Sequence, residues 1–159
     1  MKLELKEGAK LCRARAYDMP RYHTQTLKAE VECLIKIGVL KMVKHSEWAA
    51  PTFIISEKDG SARFISDFRE LNKRTLRKPC PIPNFQDMLL NLEGFQWATG
   101  LDLHMGHCHV TLDPGSKQLC DIVLTFGKHE HKAILMGLYN NTNIFQEEMS
   151  ELIDGLAFV

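Results

Sequence analysis

Between residues 24 and 37 the chain reads TQTLKAEVECLIKI, and its apolar side chains fall at Leu27, Val31, Leu34 and Ile35. That spacing is one face of a 3.6-residue period; it predicts a helix, with Gly38 as its stop. The period then shortens. Thr52 to Ser56 and Ala62 to Ser66 read as two strands, with Asp59-Gly60 supplying the hairpin turn. RKPCPIP, residues 77–83, contains three prolines and predicts a stiff extended connection, because proline is excluded from helix interiors. A helix follows, capped by Asn84, with Phe85, Met88, Leu89 and Leu92 on one face and Gly94 at its end. Residues 96–103 and 107–112 flank Gly106 and read as strands; residues 120–126 read as a buried strand, with Gly127-Lys128 turning into HEHKAIL. In the last helix Ile144, Phe145, Met149, Leu152, Ile153 and Leu156 form the apolar face, and Asn143 with Gln146 has the capping-box spacing. Short strands interrupted by separate helices, without a regular βαβ repeat, predict an α+β fold.

Composition adds little to this picture, but charge changes it. The 159 residues are 45% hydrophobic and 25% charged, an ordinary globular balance with enough chain for one domain and its core. No apolar run approaches the ~18 residues of a membrane span, and MKLELKEGAKLCRARAYDMP lacks the apolar centre of a signal peptide. Five cysteines without a Cys-x-x-Cys fit reduced thiols, so an intracellular chain without a membrane partner is expected. The net charge of zero conceals a split: residues 1–80 carry a balance of +7 and residues 81–159 a balance of −7. A basic face for a polyanion beside an acidic region that holds cations is one reading; two solvated surfaces is the other.

Three groups could carry chemistry. Asp102 lies between Leu101 and Leu103 in GLDLHMGHCHVTL, so its strand is expected to be half-buried. A buried carboxylate needs a partner, which a metal, an Arg or Lys, or backbone N–H groups could each supply. His104, His107 and His109 follow. On a strand His107 and His109 would share a face, and His129 with His131 could complete a zinc tetrad from a neighbouring strand; surface or core-edge histidines are the commoner outcome. The segment DFRELNKRTLRKP concentrates Arg69, Lys73, Arg74, Arg77 and Lys78 against only Asp67 and Glu70, and Lys58 and Arg63 are near in sequence. Such clusters suit phosphates because they displace condensed counterions, and they equally suit a solvated helix face. No phosphate-cradling glycine loop and no Gly-x-Ser-x-Gly is present.

Taken together, WAAPTFIISEKDGSARFISDFRELNKR, PIPNFQDMLLNLEGFQWATGLDLHMG and MGLYNNTNIFQEEMSEL resemble the reverse transcriptase of gypsy-type LTR retrotransposons, over nearly the whole chain. The resemblance implies a right-hand polymerase fold, with residues 1–80 as basic fingers and 81–159 as the first part of the palm. It implies RNA-directed DNA polymerisation on an RNA or DNA primer–template with deoxynucleoside triphosphates, and Mg²⁺ as cofactor. Asp102 matches the first catalytic, Mg²⁺-binding aspartate. Arg63 matches the fingers residue that holds the incoming triphosphate, and Lys58 is grouped with it. His107 takes the place of the aromatic gate at the sugar. Met136-Gly137 and Phe145-Gln146 match the motif behind the nucleotide pocket, and Arg69 a position near the template, with Lys73 and Arg74 beside it as nucleic-acid contacts.

The resemblance also exposes departures. Its two further catalytic aspartates belong to a Tyr-x-Asp-Asp hairpin, yet no Asp-Asp pair occurs among these residues. A two-metal displacement needs those carboxylates. The resemblance therefore implies a truncated fragment, inactive alone, that would need the remaining polymerase segments of a polyprotein. Glu57 stands where the family has lysine, and a carboxylate there repels a triphosphate. Two prolines of the nucleotide-pocket motifs are replaced in Leu135-Met136-Gly137 and Asn140-Asn141-Thr142. A nucleic-acid-binding module without catalysis, a zinc-stabilised structural protein and a functionless remnant are the rival readings.

Overall fold

The computed structural model describes residues 1–56, 62–79, 84–90, 94, 96, 97 and 99–156. Helix α1 runs Arg21–Lys36 and buries Leu27, Val31 and Leu34, three of the four positions the period selects. Gly38 ends it at φ +82, which lets the Val39 N–H reach back to the Leu34 carbonyl at 2.9 Å. The chain then enters β1 (Leu40–Val43), β2 (Ala50–Ser56) and β3 (Ala62–Ser66). The last two pair antiparallel with Thr52 opposite Ser66, and their hydroxyls meet at 3.0 Å in the interior. The predicted Asp59-Gly60 turn and Lys58 lie outside the described residues.

Helix α2 (Arg69–Arg74) buries Leu71, and α3 (Phe85–Leu90) follows; Asn84 accepts the Gln86 N–H at 3.1 Å, as a cap should. After the short α4 (Pro114–Lys117) come β4 (Ile122–Leu124), β5 (Gly127–His131) and α5 (Asn141–Ile153). The sheet order is β1-β5-β4-β2-β3, parallel only between β2 and β4. One sheet thus draws strands from both the basic and the acidic half. Leu27, Leu40, Phe68, Ile122 and Ile134, each at most 2% exposed, are its core.

Four local expectations are corrected. Residues 101–103 are irregular, and Gly106–His109 is a 3-10 turn, so neither stretch around Gly106 is a strand. Thr111 alone bridges to Ala133. The reason is that the backbone here bonds to itself at short range: the N–H groups of Gly106, Cys108 and Val110 reach the carbonyls of Leu103, Met105 and His107 at 3.1, 2.8 and 3.3 Å, which curls the chain instead of extending it. The turn before β5 is made by Thr125 and Phe126, while Gly127 already pairs with Leu124. Finally, α5 begins at Asn141. Asn143 therefore lies inside the helix and donates its amide to the Lys78 carbonyl instead of capping. The apolar face of α5 is also less covered than its period implies, with Leu152 71% exposed.

Candidate nucleotide and nucleic-acid surface

Two cavities lie on either side of the wall formed by Ser66 and the Met136–Gly137 loop. The first, about 550 Å³, gathers Asp102, His107 and Met136 with Phe64, His131 and Phe145. Three residues from the predicted set therefore share one space. Asp102 is exposed, not half-buried, in an irregular segment whose flanking Leu101 and Leu103 are also exposed, at 91% and 47%. Water thus solvates the carboxylate, and the forced partner of a buried aspartate is not required. His107 stacks on Phe145, centroids 4.7 Å apart and planes 5° from parallel. Gly106 makes that stack possible. A Cβ added there would meet Phe145 Cζ at 2.9 Å, inside van der Waals contact. Gly106→Ala is accordingly expected to push the Phe145 ring off His107 and cost about 1–3 kcal/mol by overpacking; loss of the upfield ring-current shifts of the His107 protons, with a lowered urea midpoint, is the check.

The second cavity, about 760 Å³, is lined by Tyr17, Phe53, Phe68, Asp67, Arg69 and Gly137 among others. Tyr17 and Phe53 meet edge to face at 5.6 Å. Asp67 organises its rim: the Tyr17 hydroxyl donates to it at 3.0 Å, and the Arg69 guanidinium at 2.9 and 2.6 Å. Arg69's hydrogen bonds hold the Asp67 carboxyl down at about 2, and the same pairing raises Arg69.

The basic helix is internally paired. Lys73 and Arg74 both reach Glu70, at 2.6 and 2.7 Å, and the Glu70 carboxyl is lowered in consequence, chiefly by the Lys73 hydrogen bond. Exposed pairs of this kind contribute little stability, so the cations can exchange Glu70 for a phosphate. Arg63 is exposed on β3. Gln146, half-buried on α5, donates to Ser150 at 3.4 Å and lines neither cavity. The histidines do not converge: among the described residues no three of His, Cys, Asp and Glu are placed to hold a metal. His129 and His131 are core residues, 1% and 0% exposed.

Sequence reasoning overlooked a set of asparagines that ties the wall to the basic segment. Asn72 donates to the Gly137 carbonyl at 2.6 Å and accepts the Tyr139 N–H at 2.9 Å. Asn140 accepts the Lys78 N–H at 3.0 Å and donates to the Leu76 carbonyl at 2.8 Å. Asn141 donates to the Leu135 carbonyl at 2.7 Å. Short amide side chains at a loop-to-helix junction, which readily bond nearby backbone, were the available signal.

No protein-family model matches the chain. In sequence it is similar to the retrovirus-related Pol polyprotein from transposon gypsy of Drosophila melanogaster, 27% identical over 146 residues, which is 88% of this chain and 14% of the polyprotein. The putative enzymatic polyprotein of Cassava vein mosaic virus is 25% identical over 142 residues, 85% of this chain and 21% of that one. In structure the chain superimposes on the prototype foamy virus protease-reverse transcriptase with a TM-score of 0.84 at 19% identity, over 97% of this chain and 21% of that one. The chain therefore spans less than a quarter of each of these longer proteins. No helix among the described residues is long and apolar enough to cross a membrane. The chain is thus kin in sequence to the Pol polyproteins of gypsy-type retrotransposons and carries the fold of a reverse transcriptase.

Proposed function

We propose that these residues are the fingers and the first part of the palm of a gypsy-type reverse transcriptase, and that their own contribution is to bind a primer–template and an incoming nucleotide. The observation that carries the reading is the shared wall. Ser66 lines both cavities, with Met136 on one side of it and Gly137 on the other. A template strand suits the second cavity, where Tyr17 and Phe53 offer ring faces or edges to bases and Arg69 offers a cation to a phosphate. The nucleotide suits the first, against His107 and Met136 and beside Asp102, with Arg63 and Lys58 in the fingers hairpin as its triphosphate contacts.

Mg²⁺ belongs to this reading as the ion that would neutralise the phosphates, and Asp102, exposed at the cavity, would supply it with one carboxylate. The described residues do not assemble the carboxylate set of a two-metal clamp. Binding, and not bond-making, is therefore what we assign to residues 1–159 as an isolated polypeptide. The remaining polymerase segments would come from a longer polyprotein.

Fluorescence anisotropy of the purified chain with a labelled RNA–DNA primer–template tests this. Affinity is expected to fall steeply between about 50 and 200 mM salt, as phosphate contacts require. Arg69→Ala and Lys73→Ala should each weaken binding and lower the salt slope by about one. Salt-insensitive binding, untouched by both substitutions, would remove the proposal. Mg²⁺-dependent primer extension that disappears in Asp102→Asn would overturn its binding-only part.

A further inference from the structure

From Gly8 to Tyr17 the chain reads GAKLCRARAY, with three cations and no carboxylate. Its second half alternates: Arg13, Arg15 and Tyr17 are exposed, while Cys12, Ala14 and Ala16 turn partly inward. That is the period of extended chain, which sets every second side chain on one face, about 7 Å apart. Two backbone bonds fix the segment just before β2: the Ala49 N–H donates to the Cys12 carbonyl at 3.1 Å, and the Ala14 N–H to the Ala49 carbonyl at 3.0 Å. Tyr17 then joins the wall of the second cavity, and Asp67 links its hydroxyl to the Arg69 guanidinium. The two arginines remain available. Glu47 meets Arg13 through its backbone carbonyl, at 3.2 Å from Nε, and none of the described residues pairs with the Arg15 guanidinium.

We propose that the outward face of residues 13–17 is a track for the single-stranded template overhang, the part of the template that lies beyond the duplex. Arg15 and Arg13 bind its phosphates, and Tyr17 stands where the track meets the second cavity. The inference rests on the placement of the template strand in that cavity and carries the strand outward from it. Three features select a single strand. The cations stand in single file, which fits one sugar–phosphate backbone, whereas a duplex presents two. The residues between them are alanines, so no bulky side chain holds a backbone away from the guanidinium groups. The stripe ends on the edge-to-face pair of Tyr17 and Phe53, rings that suit bases better than they suit an acidic peptide. Arginine in turn suits phosphate, through its planar fork of donors. Recognition along the track is therefore electrostatic and independent of base sequence.

The test compares two labelled RNA–DNA primer–templates of the same duplex by fluorescence anisotropy with the full chain. One is blunt, and the other carries a 5′ template overhang of about six nucleotides. The overhang is expected to tighten binding. With two single-strand phosphates contacted, that gain should shrink about sevenfold between about 50 and 200 mM salt. Arg13→Gln combined with Arg15→Gln should abolish the gain. Lys41→Gln removes another exposed cation, from β1 at the far edge of the sheet, and should leave the gain intact. No gain from the overhang, a gain that survives the double substitution, or an equal loss in Lys41→Gln would each overturn the inference. The two readings fail separately: affinity for the blunt duplex that depends on Arg69 and Lys73 upholds primer–template binding whatever the overhang does.

Discussion

Replacing His131 by phenylalanine is expected to stabilise the fold, and by more at pH 5 than at pH 8. His131 is fully buried, neither ring nitrogen has a partner, and its ring meets the edges of Phe64 and Phe68 at 6.3 and 6.5 Å. Burial, with repulsion from His129, lowers its pKa to about 3. An unfolded histidine titrates near 6.5, so between those values the unfolded chain holds the proton and the folded chain does not. Stability from this group is therefore complete above about pH 6.5 and is lost as pH falls, by about 2 kcal/mol at pH 5. His129, also lowered by burial, acts in the same direction. Asp121 acts oppositely. Its folded pKa is raised to about 6, so its contribution is present at low pH and lost as pH rises through 6. Between pH 8 and 5 Asp121 returns about 1.4 kcal/mol, less than His131 and His129 together lose, so the natural chain should lose stability modestly toward pH 5. His131→Phe removes one side of the balance along with two unsatisfied nitrogens, so the variant should gain about 2 kcal/mol more at pH 5 than at pH 8. Urea unfolding at both pH values measures it. An equal gain or loss at the two values would show that His131 carries no proton linkage.

His131 also marks where sequence reading reached its limit. Its alternation with His129 was visible, but alternation does not say which face of a strand is buried. The sheet order does, by setting β5 between β1 and β4 and turning both imidazoles into the core. The α1 helix and the β2–β3 pair were legible because their periods reflect burial of the very residues that set them. The stretch around Asp102 has the same apolar alternation as a strand, yet it turns. Gly106 lies under Phe145, a ring supplied by a helix some forty residues later in the chain, and no local pattern encodes that contact. The resemblance pointed to the fold, and the structure places Asp102, His107 and Met136 at one cavity. It said nothing of the pairing of Lys73 and Arg74 with Glu70, although opposite charges three and four residues apart are a helical pairing signal in the sequence itself. It also led Asn140-Asn141 to be read as the loss of a motif, when the structure gives both amides specific backbone partners.

Those amides set the second large expectation. Asn140→Ala should cost about 1–3 kcal/mol, because it removes two hydrogen bonds from a buried amide to the part-buried backbone of 76–78. Asn140 is 1% exposed, and it alone among the side chains described binds both the Lys78 N–H and the Leu76 carbonyl. Asn143 holds the Lys78 carbonyl at 2.6 Å, and Arg77 lies over the Tyr139 ring at 5.0 Å, so the whole of 76–78 is fastened to the segment that begins at the Met136–Gly137 wall. Asn140→Asp separates the two bonds: the carboxylate can still accept from Lys78 but cannot donate to Leu76, and its loss should exceed that of a neutral acceptor swap because a buried charge is added. Amide exchange at Lys78 reads the first bond directly and should accelerate in Asn140→Ala while remaining protected in Asn140→Asp. Nucleic-acid binding supplies a readout that simple destabilisation does not move at temperatures where both variants stay folded. Asn140 lines neither cavity, yet freeing 76–78 removes the support of the basic helix that precedes it, so affinity should fall with the salt slope unchanged. A changed slope would mean that a phosphate contact had been lost, and Asn140 would then be part of the binding surface itself.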